Sequence, residues 1–263
     1  MRKRQSLSTE RSAGIYRTSA NRKFGRYKGL TEKNIRRTDV LYDAKLDNLV
    51  NAWLEFYKIT VTDPPPEIGH DGGLVFAGEI AELLLKDISY SQKSVEDFSM
   101  ICGEVIAATP GSGHSIGHRY RLFVNTLIQQ GCSSKYLIHT HNWPFPPHHL
   151  CQGNKKHVTI NGDAGDACGL WNEKRGKIII NGNARGSLGN KMSGGTIVLN
   201  GTLTLYKDFD DSILTPGFGM KGGKIFLNGE IRLECDAFDY IKLIEKQAKR
   251  GKIYDKGKLI VDK

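Results

Sequence analysis

A histidine-rich segment contains the residue types best suited to chemistry in this chain. It runs from Tyr136 to His149 and contains four histidines: His139, His141, His148 and His149. Residues two apart on a β-strand point to the same side, so His139 and His141 would present two imidazoles on one face. Neutral imidazole is a common ligand of zinc and other divalent ions. The segment therefore predicts a candidate divalent-metal site.

Two histidines do not complete such a site. A hydrolytic centre needs further ligands and a metal-activated water. The candidates for the remaining ligands are His148, His149, Cys151 and Asp71. Because no complete set of ligands is recognisable, the favoured alternative is that the histidines are structural or belong to a loop folded over a neighbouring strand. No other cofactor is predicted.

A repeat that ends each time in glycine dominates the C-terminal half, and it would form the framework that positions neighbouring segments. Four short segments end in Asn-Gly, at residues 157–162, 177–182, 196–201 and 224–229. Their glycines are 20, 19 and 28 residues apart. Repetition at about 20 residues is typical of stacked units that bury their apolar faces only against neighbours. The flanks 163–169 and 183–189 are too rich in glycine to be good return strands, which favours stacking over hairpins.

Alternation along the four strands predicts which side chains point inward. The inward set forms aliphatic columns: Val158, Ile160, Ile178, Ile180, Ile197, Leu199, Ile225 and Leu227. Of the residues between them three are apolar, Ile179, Val198 and Phe226, and this outward row is expected to be covered by a partner protein. The asparagines that precede the glycines are expected to form a ladder of stacked amides: Asn161, Asn181, Asn200 and Asn228.

The glycine phrases resemble a known family. The matching positions are Gly162, Gly165, Gly169, Gly182, Gly186 and Gly189, with the lead-ins Met192–Gly195 and Met220–Gly223. They are similar to the GXGXG domain, which forms the C-terminal part of the large subunit of glutamate synthase and makes up one of the subunits of formylmethanofuran dehydrogenase. The resemblance covers about residues 154–232. It implies a right-handed β-helix without catalytic residues that packs beside catalytic domains.

The expected fold class is mainly β, with a right-handed parallel β-helix of about four coils in the C-terminal half. The expected domains are a basic extended arm at 1–38, a mixed α/β region at 39–153, the β-helix at 154–235 and a helix-and-strand cap at 236–263. In the middle region, hydrophobic periodicity predicts helices at about 39–58, 74–88 and 119–130. Residues 100–107 are predicted to be a buried strand. The cap is predicted to hold a helix that starts at Asp236 and a strand at 258–261.

The net charge is concentrated at the N-terminus. The chain has 263 residues and a formal net charge of +10. Residues 1–37 hold two acids and twelve basic residues, and the other 226 residues hold 26 basic and 26 acidic side chains. The twelve are Arg2, Lys3, Arg4, Arg11, Arg17, Arg22, Lys23, Arg26, Lys28, Lys33, Arg36 and Arg37. Such an arm is suited to a phosphate backbone and predicts RNA binding. An organellar transit peptide and a solvated tail are the alternatives.

Composition also bears on the compartment. No apolar run approaches the roughly 18 residues that span a bilayer, so membrane insertion is not expected. The five cysteines are odd in number and contain no Cys-x-x-Cys pair, which favours reduced thiols over a disulfide framework. We expect a cytoplasmic location, with the interior of a mitochondrion or another organelle as the alternative.

Three functions of different classes follow from these features. The favoured one is a non-catalytic structural scaffold in a complex of several subunits, which docks other protein subunits through Ile179, Val198 and Phe226. The second is an RNA-associated component of a ribonucleoprotein, anchored by the basic arm. The third is a metal-dependent hydrolase that uses the segment with His139 and His141.

Overall fold

The computed structural model describes residues 44–62, 70–108, 113–143, 145–207, 213, 215–234 and 239–263. Residues from Ala44 to Lys263 belong to one compact unit. The basic arm, with every arginine and lysine predicted to bind RNA, lies outside the described residues.

Four helices come first among the described residues: α1 (Ala44–Thr62), α2 (His70–Leu85), α3 (Gln92–Ala108) and α4 (Gly113–Gln130). An aromatic cluster joins three of them. Trp53 of α1 meets Tyr120 and Phe123 of α4 edge to face, with 5.1 and 5.6 Å between ring centroids. Phe98 of α3 stacks on Tyr120 at 5.6 Å. All four rings are fully buried, and each such pair contributes about 0.5–1.5 kcal/mol beyond its burial.

The predicted helices in this region are confirmed as α1, α2 and α4, with α2 and α4 starting earlier than expected. The predicted strand at 100–107 is wrong, because these residues lie in α3. A short apolar run does not distinguish a buried strand from a buried helix. Here the run belongs to a helix that begins at Gln92, and the whole element has the length of a helix rather than of a strand.

Ten strands and a fifth helix follow in the described chain. The strands are β1 (Lys135–His139), β2 (His157–Asn161), β3 (Lys177–Ile180), β4 (Ala184–Arg185), β5 (Thr196–Leu199), β6 (Leu203–Leu205), β7 (Lys221–Leu227), β8 (Ile231–Leu233), β9 (Arg250–Asp255) and β10 (Lys258–Asp262). Seven form one sheet in the order β1-β2-β3-β5-β7-β9-β10, and β4-β6-β8 form a small parallel sheet. In the large sheet only the pair β9 and β10 is antiparallel.

The predicted fold class, mainly β with a right-handed parallel β-helix of about four coils, is wrong. The protein is mixed α/β: helices come first, then a mostly parallel seven-stranded sheet with a small three-stranded sheet. Helices contain more of the described residues than strands do. The large sheet also recruits β1 ahead of the repeat and β9 and β10 behind it. The repeat supplies four of the seven strands rather than a fold of its own.

The predicted register of those four strands is confirmed. Val158 pairs with Ile178, Ile178 with Ile197, and Ile197 with Ile225, all between parallel strands. Antiparallel hairpins between the repeats are thereby excluded. The eight predicted inward residues are all buried. Full burial of an aliphatic side chain contributes about 1.5–3 kcal/mol, so these columns are a major part of the core.

The C-terminal segment supplies the last two strands of the large sheet, β9 and β10. Helix α5 (Tyr240–Gln247) starts later than predicted, and Asp239 caps it by accepting a hydrogen bond from the Lys242 backbone nitrogen. The predicted strand at 258–261 is confirmed as β10. No helix in the described part of the chain is long and apolar enough to cross a membrane.

Candidate functional site

The candidate site is the outer face of the seven-stranded sheet. Because side chains alternate along each strand, one set fills the core and the other faces outward. The parallel register places the outward residues of successive strands side by side. Three rows result: one where the strands begin, one at their middle and one where they end. We call them the basic row, the apolar row and the amide row.

The apolar row crosses six strands. It consists of Leu137, Thr159, Ile179, Val198, Phe226 and Tyr254, which pair in register from β1 to β9. Each is half-buried. The rings of Phe226 and Tyr254 stack with 4.6 Å between centroids and 8° between planes. With about 4.8 Å between strands, the row is about 24 Å long. The fold thus brings the three predicted interface residues together as direct neighbours.

The amide row is the predicted asparagine ladder, and it is confirmed. Asn181 donates its side-chain amide to Asn161 Oδ1 at 2.8 Å, and Asn200 donates to Asn181 at 2.9 Å. Asn228 continues the ladder to Asn200 at 2.9 Å. These bonds run along the stacking direction, so they hold the strand ends in register.

The basic row stands at the strand starts. It consists of Lys135, His157, Lys177, Thr196, Lys224 and Lys252, again paired in register. Burial lowers the pKa of His157, and the neighbouring charges of Lys177 and Lys135 lower it further. The histidine is therefore held neutral between two lysines.

His139 and His141 lie near each other at the end of β1, with 6.2 Å between ring centroids. The strand ends at His139, so His141 is in the following turn and exposed. His139 Nε2 is 3.7 Å from Glu96 Oε1 on α3, too far for a hydrogen bond, and it has no other described partner. Burial lowers the pKa of His139 despite the nearby carboxylate. This neutral imidazole packs between helix and strand.

His148 lies instead beside Asp166, at the corner that leads to the small sheet. Its Nδ1 is 2.9 Å from Asp166 Oδ2 and 3.3 Å from the Asp166 backbone nitrogen. One ring nitrogen cannot donate to the first and accept from the second, and the shorter distance favours donation to the carboxylate. Burial opposes ionisation of Asp166, but bonds from His148 and Tyr206 and the charges of His148 and Arg185 outweigh it and lower the Asp166 pKa.

The four histidines do not assemble the predicted metal site in the part of the chain that is described. There, no group of three or more His, Cys, Asp or Glu is arranged to hold a metal ion. His139 and His141 form one pair, and His148 belongs to another with Asp166. His149 donates its backbone N–H to the Asp166 carbonyl at 2.6 Å. The metal-dependent hydrolase consequently receives no geometric support.

One polar cluster on the small sheet was not anticipated from the sequence. The Arg185 guanidinium lies 4.9 Å from the ring centroid of Tyr206 and 3.1 Å from Glu234 Oε2. Tyr206 also bonds to Asp166. The available signal was Arg185 itself, which stands where the first glycine phrase has Gly165. Both members of the Arg185–Glu234 pair are about half exposed, so the pair adds at most about 1 kcal/mol.

No family model, no curated protein and no solved structure matches this chain. Its function is therefore inferred from the geometry of the outer face.

Proposed function

We propose that the protein is a non-catalytic structural subunit that docks another protein subunit of a larger complex through the outer face of the seven-stranded sheet. The observation that carries this is the apolar row. Isolated exposed apolar residues are normal on any protein, whereas a contiguous apolar band is typical of an interaction surface. Ile179, Val198 and Phe226 form such a band on adjacent strands.

Rigidity supports the same role. The row sits on parallel strands whose buried columns lie directly beneath it and whose ends are joined by the amide ladder. A surface fixed before binding loses little conformational entropy on association, which favours affinity. The row therefore suits a permanent contact with another subunit. The resemblance to the GXGXG domain implies the same non-catalytic role, and we propose that relationship as well.

The test is the double substitution Ile179→Asp and Phe226→Asp in the full chain. Both side chains point away from the core, so the fold should persist while a desolvated carboxylate in the contact weakens binding strongly. The measurement is mass-spectrometric identification of proteins that co-purify with a tagged chain, followed by size-exclusion chromatography with each identified partner. The partner should separate from the variant and co-elute with the unsubstituted protein.

A matched control uses exposed leucines of the helices. Leu54 and Leu83 are 39% and 70% exposed, and Leu54→Asp with Leu83→Asp makes the same change of chemistry and charge. This control should keep the partner. Retention of every partner by the Ile179 and Phe226 variant, with unchanged circular dichroism, would contradict the proposal.

RNA association through the basic arm remains a second proposal, supported by the twelve basic residues at 1–37. Deletion of those residues should lower RNA retention and make its salt dependence less steep. Full retention after the deletion would rule this role out. We further propose a cytoplasmic location, or the interior of an organelle, since the three cysteines with described side chains are free thiols.

A further inference from the structure

The edge of the large sheet where its strands begin is strongly basic. Six parallel strands start there, so the turns that lead into them also meet at this edge. The segments are 133–135, 154–157, 173–177, 193–196, 221–224 and 249–252. They hold eleven basic residues: Lys135, Lys155, Lys156, Lys174, Arg175, Lys177, Lys221, Lys224, Lys249, Arg250 and Lys252. Their one acid is Glu173. We call these eleven residues the basic edge.

Very little of this charge is neutralised within the protein. Lys155 pairs with Glu173 at 3.3 Å and Lys252 with Asp262 at 2.9 Å. The other nine have no ion pair with a described acidic residue. Most of the eleven are exposed. They are spread over five of the six strand starts, with a gap at β5, instead of converging on one point. This arrangement fits an extended chain of anions better than a single small anion.

An exposed aromatic residue comes just before one of these turns. Trp171 precedes Glu173 by two residues and is 48% exposed. Its backbone has φ 56°, in the left-handed region that favours glycine. The Trp171 backbone N–H donates to the Asn190 carbonyl. The equivalent residues of the neighbouring turns make the same bond: Gly153 N–H donates to the Leu170 carbonyl and Lys191 N–H to the Phe218 carbonyl. Gly153 and Gly219 occupy this column with similar φ values, whereas Trp171 and Lys191 hold it at a steric cost.

We propose that the basic edge binds single-stranded nucleic acid, with the lysines and arginines along the phosphate backbone and Trp171 stacked on a base. Cationic grooves combined with exposed aromatic rings are how proteins bind single strands without sequence preference. An acidic protein segment would use the charges but would have no need of a protruding indole. The proposal concerns side chains other than the apolar row, so it does not depend on the docking function.

The experiment uses the full chain and a fluorescein-labelled 12-residue oligouridylate, followed by anisotropy at several salt concentrations. Lys177→Glu with Lys224→Glu should weaken binding by at least about tenfold. The slope of log affinity against log salt should fall by about 1.4, since each lost phosphate contact contributes about 0.7 for single strands. The matched control is Lys256→Glu with Lys258→Glu, which makes the same charge change at the opposite end of β9 and β10 and should stay within about threefold of the parent. The parent, the variants and the control all carry the same arm, so a difference in affinity between the edge variants and the control comes from the substituted side chains.

A second variant and a second readout keep the test decisive. Lys174→Glu with Arg175→Glu changes a turn rather than a strand and should weaken binding in the same way. It replaces the first variant if that one misfolds. Trp53 and Trp143 are buried, so quenching of tryptophan fluorescence by the unlabelled oligonucleotide should come from Trp171 and disappear in Trp171→Phe. Equal affinities of the edge variants and the control would overturn the proposal. So would equally tight binding of a polyglutamate peptide of equal charge, which would identify the ligand as an acidic protein.

Discussion

Substitution of Gly201 by alanine tests why the repeat ends in glycine. A Cβ added at Gly201 would lie 2.3 Å from the carbonyl oxygen of Gly182 and 2.6 Å from its carbonyl carbon. The obstacle is backbone of the preceding strand end, and it is held on both sides. Asn200 N–H donates to the Ile180 carbonyl at 2.9 Å, and Ala184 N–H donates to the Thr202 carbonyl at 2.9 Å. Alanine can enter only if the two chains separate.

The expected cost follows from three contributions. Overpacking costs about 1–3 kcal/mol, and a rigid backbone obstacle places it at the upper end. Separation of the chains also weakens a hydrogen bond worth about 0.5–1.5 kcal/mol. Alanine restricts the unfolded chain, which offsets about 0.4–1 kcal/mol. The net loss of unfolding free energy is about 2–3 kcal/mol. For a domain of this size it corresponds to a fall in melting temperature of roughly 4–12 °C.

The measurement is urea and thermal unfolding followed by circular dichroism, with Gly78→Ala as the matched control. Gly78 lies inside α2, and apart from the backbone of that helix nothing in the described part of the chain is within 4 Å of a Cβ added there. Alanine there should raise stability by about 0.5–1 kcal/mol through helix propensity. If Gly201→Ala were as stable as the parent protein, the contact between successive strand ends would not be the reason for the glycine.

Three further predictions address other parts of the same sheet. Lys191→Gly should raise the free energy of unfolding by up to about 1 kcal/mol. A φ of 52° costs a non-glycine residue about 1–2 kcal/mol, and glycine offsets part of that gain because it makes the unfolded chain more flexible. A lower melting temperature would contradict this prediction. Asn200→Ala should cost about 1 kcal/mol in urea unfolding, since it removes two amide bonds of the ladder, and an unchanged midpoint would show that the ladder is not stabilising. The lowered pKa of Asp166 makes its ionised form stabilising above the unfolded-state pKa of about 3.9, and this contribution disappears as pH falls through the lower folded value. Between about pH 5 and pH 2 the parent should therefore lose more stability than Asp166→Asn, and parallel pH profiles would refute this.

The repeat predicted register and rows because both depend on local pattern. A strand that restarts with the same phrase at a nearly constant interval can align its glycines, asparagines and aliphatic residues only in parallel neighbours. The pairing of Ile178 with Ile197 and the asparagine ladder follow from that alone. The fold class does not. It depends on the larger number of residues outside the repeat, where apolar runs such as 100–107 are equally compatible with helix or strand until the neighbouring elements are known.

The histidine segment depends on a turn that the sequence pattern did not reveal. Placing His139 and His141 on one face assumed that the strand reaches residue 141. Instead the chain turns after His139, where Trp143 N–H donates to the Thr140 carbonyl at 3.1 Å. His139 is then held against α3, and the fold takes His148 to a separate carboxylate partner. Sequence spacing fixes relative direction only within one element, so a site assembled across a turn needs the tertiary structure.

Stacking explains how a neutral stretch of chain acquires two distinct surfaces. Outside residues 1–37 the positive and negative side chains cancel, so composition suggests no preference for anions. Each repeat, however, contributes its residues at fixed positions. Parallel pairing in register then places equivalent residues of successive repeats side by side, as a row along the sheet. Lys177 and Lys224 at the strand starts contribute to the basic edge, and Ile179, Val198 and Phe226 at the strand centres contribute to the apolar row. Total charge cannot reveal this segregation, because the segregation is produced by register.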